Sequence, residues 1–452
     1  MKKIIGVLTV MMFVVTSFAQ DFKKVQASIL LSQFDNAKKE FDIAVTKKPA
    51  MGTTAEGYYW SARIYSGLHK DPVKNPTAFA DLKKNLTNYI SVQPTFDLAK
   101  EHGQDPFFDV YIQSFKDGAS GFNTKSWKEA ADNFATAVTF SDIIYSNAWS
   151  TSKQAFDTTA LIYAGYGNQN AGDVDQTLLY YKRLMDAKVN TAELLDVYRY
   201  VLIQLTNKKD KENFEKYLAI SEAAYPAEGW AEFKTEYIDK NFSLDEKVAL
   251  YDQVNTTGKL TEVEFQMYGD MFMAGKTEDA AASEKYILKA ADAYKKAFEL
   301  NPNNFACAFN IGIAFYNQYI VLDEEVSKNI RSLQNLNANK PAAPKDPKKK
   351  ADFEKAFKAQ QDSIKKLNVV LDGPIQEKVD MAIEWVTKAF NVIKDKETLV
   401  RAEKNVAARS VDFLTTLYGF KRDKARSKDP KASDAYDVLY KKYDDLHDKY
   451  NN

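Results

Sequence analysis

Small and apolar residues recur along most of this chain at alternating spacings of three and four, the mark of one buried helix face. The clearest run is 290–316. Ala290, Tyr294 and Ala297 share a face, Asn301-Pro302-Asn303-Asn304 breaks the helix, and Ile311, Gly312 and Phe315 begin the inner face of the next. Proline cannot continue a helix interior and asparagine favours turns and caps. A small residue such as Gly312 lets a neighbouring helix come close, a gain that must offset about 1 kcal/mol of lost helix propensity. The same rhythm returns in Ala37, Phe41 and Ala44 before Pro49, and in Ala130, Phe134 and Ala137 after Trp127 and a helix carrying Gly118. It returns again in Thr177, Tyr181 and Leu184 after Ala164-Gly165, in Phe214, Leu218 and Ser221 before Pro226, and in Ala382, Val386 and Ala389. The pattern predicts an all-α chain of helix pairs.

On these residues the chain resembles the tetratricopeptide (TPR) repeat family. The points of resemblance are a helix with a small-aromatic-small face, a proline turn, and a following helix with an Ile/Leu-Gly pair and an aromatic. The resemblance implies an all-α, TPR-like α-solenoid of helical hairpins, with partners bound on a concave face lined by the first helix of each pair. The units are irregular, since segments such as 69–76 and 276–283 stretch the period beyond the usual roughly 34 residues. Pro226, Gly229 and scattered aromatics interrupt the rhythm, which divides the expected array into an N-terminal lobe, 20–235, and a C-terminal lobe, 236–452.

A longer feature sits inside the second lobe. Tyr319, Leu322, Val326, Asn329, Leu333 and Leu336 form one heptad stripe, and Phe353, Phe357, Gln360, Ile364, Leu367 and Leu371 form another. Between them lies NANKPAAPKDPKKK, rich in proline and lysine, and Asp372-Gly373-Pro374 follows. Folding the stripes together sets Asn329 against Gln360, the only polar residue of each. The expectation is an inserted antiparallel coiled-coil hairpin over 317–372, reaching roughly 25–30 Å at about 1.5 Å per residue. Pairing the two amides avoids the roughly 1–3 kcal/mol cost of a buried unpaired polar group and fixes the register.

Composition narrows the function classes. Lys and Arg total 62 against 62 Asp and Glu, so no basic excess argues for nucleic acid. Lys2-Lys3, the uncharged apolar run Ile4 to Phe18, and Ser17 and Ala19 read as a signal peptide, 1–19, cleaved before Gln20. No cysteine follows that site, so no lipobox is present, and no transmembrane segment is expected in the mature chain. The one cysteine, Cys307, lies between alanines in an apolar helix and reads as a core residue. His69, His102 and His447 have no partners at metal-ligand spacing, and neither a phosphate-binding glycine loop nor a GxSxG elbow occurs. No cofactor and no catalytic residues are expected.

The resulting expectation is a non-enzymatic protein-interaction scaffold. Phe309, Ile313 and Tyr316 are candidates for its groove, and Lys345, Lys348 and Lys349 for a basic contact at the hairpin tip. Exported TPR-like chains with a leader ending in SFAQ resemble those of Bacteroidetes-type bacteria. That resemblance implies a diderm envelope, with a periplasmic or outer-membrane-associated place. Two alternatives stand beside it. One is a glycan- or nutrient-binding protein of the starch-utilisation helical type, which a flat platform of surface aromatics would support. The other is an enzyme without a recognisable motif.

Overall fold

The structure is a computed structural model that describes residues 22–275, 277 and 279–451, so the leader segment lies outside the described residues. Every regular element among them is helical. They divide into two compact units that meet between Glu228 and Gly229.

The first unit holds α1 (Lys23–Leu30), α2 (Phe34–Lys47), α3 (Ala55–Leu68), α4 (Ala78–Val92), the short α5 (Asp97–His102), α6 (Asp105–Asn123), α7 (Trp127–Ser146), α8 (Thr158–Ala171), α9 (Val174–Asp186), α10 (Leu195–Lys208) and α11 (Lys211–Ala224). Helices pack mainly on the ones before and after them, and on those two steps away. That nearest-neighbour order is what stacked TPR-like helix pairs require. The small-aromatic-small faces are its core: Ala130, Phe134 and Ala137 of α7 are buried, as are Thr177, Tyr181 and Leu184 of α9.

One contact repeats from pair to pair. A Cβ added to Gly118 of α6 would meet the Phe134 ring at 2.9 Å, and one added to Gly165 of α8 would meet the Tyr181 ring at 2.2 Å. Each first helix thus supplies a bare backbone on which the second helix lays a ring, 16 residues later in both cases (134 − 118 and 181 − 165). Polar links also join elements roughly one pair apart. Arg183 donates to both oxygens of Asp142 at 2.6 Å, and Arg63 donates to Asp105 at 2.6 Å. Such half-exposed pairs add little stability each.

The second unit holds α12 (Trp230–Asn241), α13 (Leu244–Asn255), α14 (Glu262–Ala274), α15 (Ala280–Leu300), α16 (Phe305–Ala338), α17 (Pro347–Ile393), α18 (Arg401–Ala425) and α19 (Pro430–Asn451). Its core joins Tyr251, Phe272, Ala290, Tyr294 and Ala297 with Cys307, Ile311, Phe315, Val379, Ala382 and Ala389. α13 and α14 start with full capping boxes, Ser243 with Glu246 and Thr261 with Glu264. Asn304 caps α16 by accepting from the Cys307 N–H at 2.9 Å.

The two long helices α16 and α17 differ from the expected hairpin in three ways. α17 does not stop at Gly373-Pro374 but runs through Pro374 as one helix of 47 residues. Both residues are exposed, so the proline ring projects outward and the carbonyl it deprives of a partner, on the exposed Val370, faces water. The pairing register is also different. Asn329 donates to Asn368 at 2.8 Å, and Gln361 donates to Asn337 at 2.5 Å. Gln360 and Leu367, expected inside, are exposed. The reason lies in the connection. Residues 339–346 do not form a tight turn. They run back along the first turns of α17, where Lys340 bonds Glu354 at 2.7 Å and sits 4.7 Å over the Phe357 ring. This strap covers Phe357, which the expected register had given to Leu333, and α16 pairs only farther down.

The base of the two helices repeats the glycine contact, since a Cβ on Gly312 would meet Val386 at 2.5 Å. Here the partners are 74 residues apart (386 − 312) rather than 16. Within 317–372, α16 contributes the 22 residues up to Ala338 and α17 the 26 residues from Pro347. At 1.5 Å per residue these arms are about 33 Å and about 39 Å long, longer than the sequence had suggested.

Candidate interaction surface

Four rings from three helices of the first unit form a continuous, partly open patch. Phe122 ends α6 and Trp127 begins α7, while Tyr163 and Tyr166 stand on α8. The Phe122 centroid is 5.2 Å from Trp127, 5.1 Å from Tyr163 and 5.4 Å from Tyr166. Trp127 and Tyr166 are 6.3 Å apart, and Tyr163 stacks on the buried Phe134 at 5.2 Å. Tyr163 and Tyr166 remain 37% and 43% exposed, and Phe122 and Trp127 are half-buried.

Backbone closeness brings these rings together. A Cβ on Gly121 would stand 3.1 Å from the Ala130 nitrogen, and one on Gly167 would stand 3.1 Å from the Ala131 Cα. The three helices therefore approach closely just beneath the patch. Lys125, at φ 59, turns the chain sharply enough to set Trp127 beside Phe122. The ring planes meet at 84° for Phe122 with Trp127, 78° for Phe122 with Tyr163 and 68° for Trp127 with Tyr166. Edges and faces alternate, so the surface is rugged, not flat.

The candidates named from sequence fall elsewhere. Phe309 is buried, its ring 6.0 Å from Phe413 of α18 and covered by the Arg409 guanidinium at 5.0 Å. Tyr316 packs edge-on against Phe413 at 4.6 Å, and Ile313 is partly buried against the same core. Phe309 and Tyr316 thus face a neighbouring helix of their own unit. Lys345, Lys348 and Lys349 are exposed at the far end of the extension. The Lys348 and Lys349 backbone N–H groups donate to Asp346, which caps α17.

The polar clusters read as structural. Cys307 is buried with Sγ 3.6 Å from Gln266 Oε1, and burial, with Asp270 and Glu262 nearby, pushes its thiol up to about 12. Ser66 of α3 donates to Asp109 of α6, with His69 Nε2 3.6 Å from the same carboxylate. Burial pushes the Asp109 carboxyl up, but nearby His69, the bond from Ser66 and the charge of Lys70 leave it below its ordinary value. The serine hydroxyl is turned to the carboxylate and not to the imidazole, so the three do not form a nucleophile-base pair. Among the described residues no group of three or more His, Cys, Asp or Glu side chains is placed to hold a metal ion. α16 is long and apolar enough to cross a membrane by length and composition, a property not expected from the sequence; half of its most apolar window is buried against neighbouring helices.

No protein-family model matches the chain, and no curated protein matches it. Among solved structures it is similar to the APC/C hetero-tetramer Cut9-Hcn1, with TM-score 0.19 and 9% identity, covering 98% of each chain. It is also similar to Naa15/Naa10 bound to HypK-THB, with TM-score 0.19 and 14% identity, covering 96% of this chain and 80% of that one.

Proposed function

We propose that this chain is a non-enzymatic scaffold that holds a protein partner on the ring patch of its first unit. The lysine-bearing end of the α16–α17 extension is its second docking point. The observation that carries the proposal is the patch itself: four neighbouring rings, Tyr163 and Tyr166 exposed and Phe122 and Trp127 half-buried, on a close-packed support. Contiguous exposed aromatics mark interaction sites, and rigid tyrosine and tryptophan anchors supply much of the energy at protein interfaces. The planes of the contacting rings cross at 44–84°, so the four rings offer no flat shared platform, which favours the protein reading over the glycan one. The leader pattern at 1–19 supports a place in the envelope of a diderm bacterium, periplasmic or outer-membrane-associated, with a mature chain that begins at Gln20.

The test is site-specific photocrosslinking in the native cell from position 166, compared with position 348. A single captured protein, lost when Phe122→Ala and Tyr163→Ala are combined, is the expected result. Capture of no protein, together with oligosaccharides that quench Trp127 fluorescence, would replace the scaffold with the glycan reading.

A further inference from the structure

The chain is balanced as a whole, with 62 basic and 62 acidic side chains, but the far end of the α16–α17 extension is not. Residues 340–366 hold nine lysines, no arginine and four acids, so the remainder of the chain carries five more acids than bases. Most of those four acids are already engaged. Glu354 is taken by Lys340 at 2.7 Å, Asp362 stands 4.0 Å from Lys365, and Asp346 accepts the Lys348 and Lys349 backbone N–H groups as the cap of α17. Asp352 is the fourth. Lys345, Lys348, Lys349, Lys350, Lys355 and Lys358 are exposed, and among the described residues no acid lies within ion-pair distance of any of them.

Their arrangement says what they suit. At about 100° per residue, Lys348, Lys349, Lys350, Lys355 and Lys358 leave α17 at about 0°, 100°, 200°, 340° and 280°, on all sides and not along one face. Among the described residues no large apolar side chain is exposed between 331 and 366, and Phe357 is buried where Lys340 of the strap crosses it. An interface with a folded protein is anchored by aromatic or aliphatic side chains at its centre, and this end presents none. A carboxylate or phosphate held in one fixed geometry is matched by the fork of arginine, whereas lysine is a point charge. Lysines on every side, with neither anchor nor fork, match a partner that is negative over an area and has no set geometry. The arm also separates the charges. Asp323, Glu324 and Glu325 lie 13–15 residues before the end of α16, about 20 Å behind it. That is more than twice the ~8 Å over which charge is felt at physiological salt, so a negative surface can meet the lysines without repelling these acids.

We propose that the free end of the extension docks on an anionic lipid bilayer, the headgroup phosphates supplying the counter-charge that the chain does not. Clusters of about four to eight basic residues are what such surfaces attract. The inference rests on the second docking point named above and not on the ring patch.

The experiment is co-sedimentation of the full mature chain with phosphatidylcholine vesicles containing about 30% phosphatidylglycerol, at about 100 mM salt, against phosphatidylcholine alone. Binding to the charged vesicles only is expected, weakened at least tenfold when Lys345→Glu, Lys348→Glu, Lys349→Glu and Lys350→Glu are combined. Acids in the first turn of a helix favour it, so this variant keeps the parent's helical circular dichroism. Lys39→Glu, Lys116→Glu, Lys153→Glu and Lys188→Glu together make the same change of net charge at exposed positions of the first unit, and should bind within about threefold of the parent. Four results overturn the proposal: no binding to the charged vesicles, equal binding to the uncharged ones, binding that persists in the first variant, or an equal loss in both variants. Capture of an acidic protein from position 348 in cells, with vesicles left unbound, would give this docking point to a protein instead. Capture from position 166 is read separately, so the ring patch stands or falls without it.

Discussion

Gly165→Ala is the sharpest test of how the helix pairs close. The added Cβ would stand 2.2 Å from Tyr181 Cε1 and 2.5 Å from Cδ1, against an ordinary contact of about 3.5–4 Å. The ring must therefore shift by more than 1 Å. Tyr181 has nowhere to go: it is 1% exposed, its hydroxyl donates to Gln169 at 2.8 Å, and its ring meets Tyr200 edge-on at 5.8 Å. Overpacking costs about 1–3 kcal/mol, and loss of the hydrogen bond adds about 0.5–1.5. Alanine returns up to about 1 kcal/mol of helix propensity over glycine. The net is a destabilisation of about 2 kcal/mol, a drop in melting temperature of roughly 4–8 °C for a unit of this size. Urea unfolding followed by circular dichroism measures it. In a Tyr181→Leu background, where the reaching end of the ring is gone, the same glycine substitution should cost less than about 1 kcal/mol. An equal cost in both backgrounds would refute the claim that glycine and ring form a unit.

Two further outcomes follow from the polar interior. Asn329→Leu leaves the Asn368 amide without its partner and should cost about 1–3 kcal/mol, while Asn329→Leu with Asn368→Leu should recover most of that loss; simple additivity in urea titrations would remove the proposed register lock. Burial holds the phenols of Tyr89, Tyr198, Tyr268, Tyr319 and Tyr418 up near about 12, from an ordinary 10.0. The folded chain keeps these protons more tightly than the unfolded one, so their stability is whole below pH 10 and drains away between pH 10 and about 12. Tyrosinate absorbance and loss of helical signal should rise together over that window; tyrosinate formed near pH 10 with helicity intact would contradict it.

The repeating core was legible because a buried helix face leaves a local trace. Ala130, Phe134 and Ala137 announce themselves by spacing alone, and all three are buried. The register of α16 and α17 was not legible in the same way. Phe353, Phe357, Gln360 and Ile364 continue a perfect three-four alternation, yet the helix turns Gln361 inward instead, because the strap at 339–346 occupies the start of α17. Nothing in residues 337–350 distinguishes a strap lying along a helix from a loose loop. Pro374 misled for a related reason: a proline on an exposed helix face leaves its orphaned carbonyl to water. The ring patch left no trace at all. Phe122, Trp127, Tyr163 and Tyr166 share no spacing, and only the close approach of three backbones at Gly121 and Gly167 makes them neighbours.

The closure of Gly312 on Val386 has a consequence for how this protein can vary. The core continues past that contact through Phe315 and Val379 and ends at Tyr319 and Ile375, where the bond from Lys424 to Asp372 seals the base. Length beyond the seal is therefore a free parameter. Inserting or deleting seven residues in both arms at matched positions changes the reach by about 10 Å and returns every side chain to the same face. The base works as a fixed socket and the arms as an adjustable spacer, so chains of this build should differ among themselves first in how far they reach.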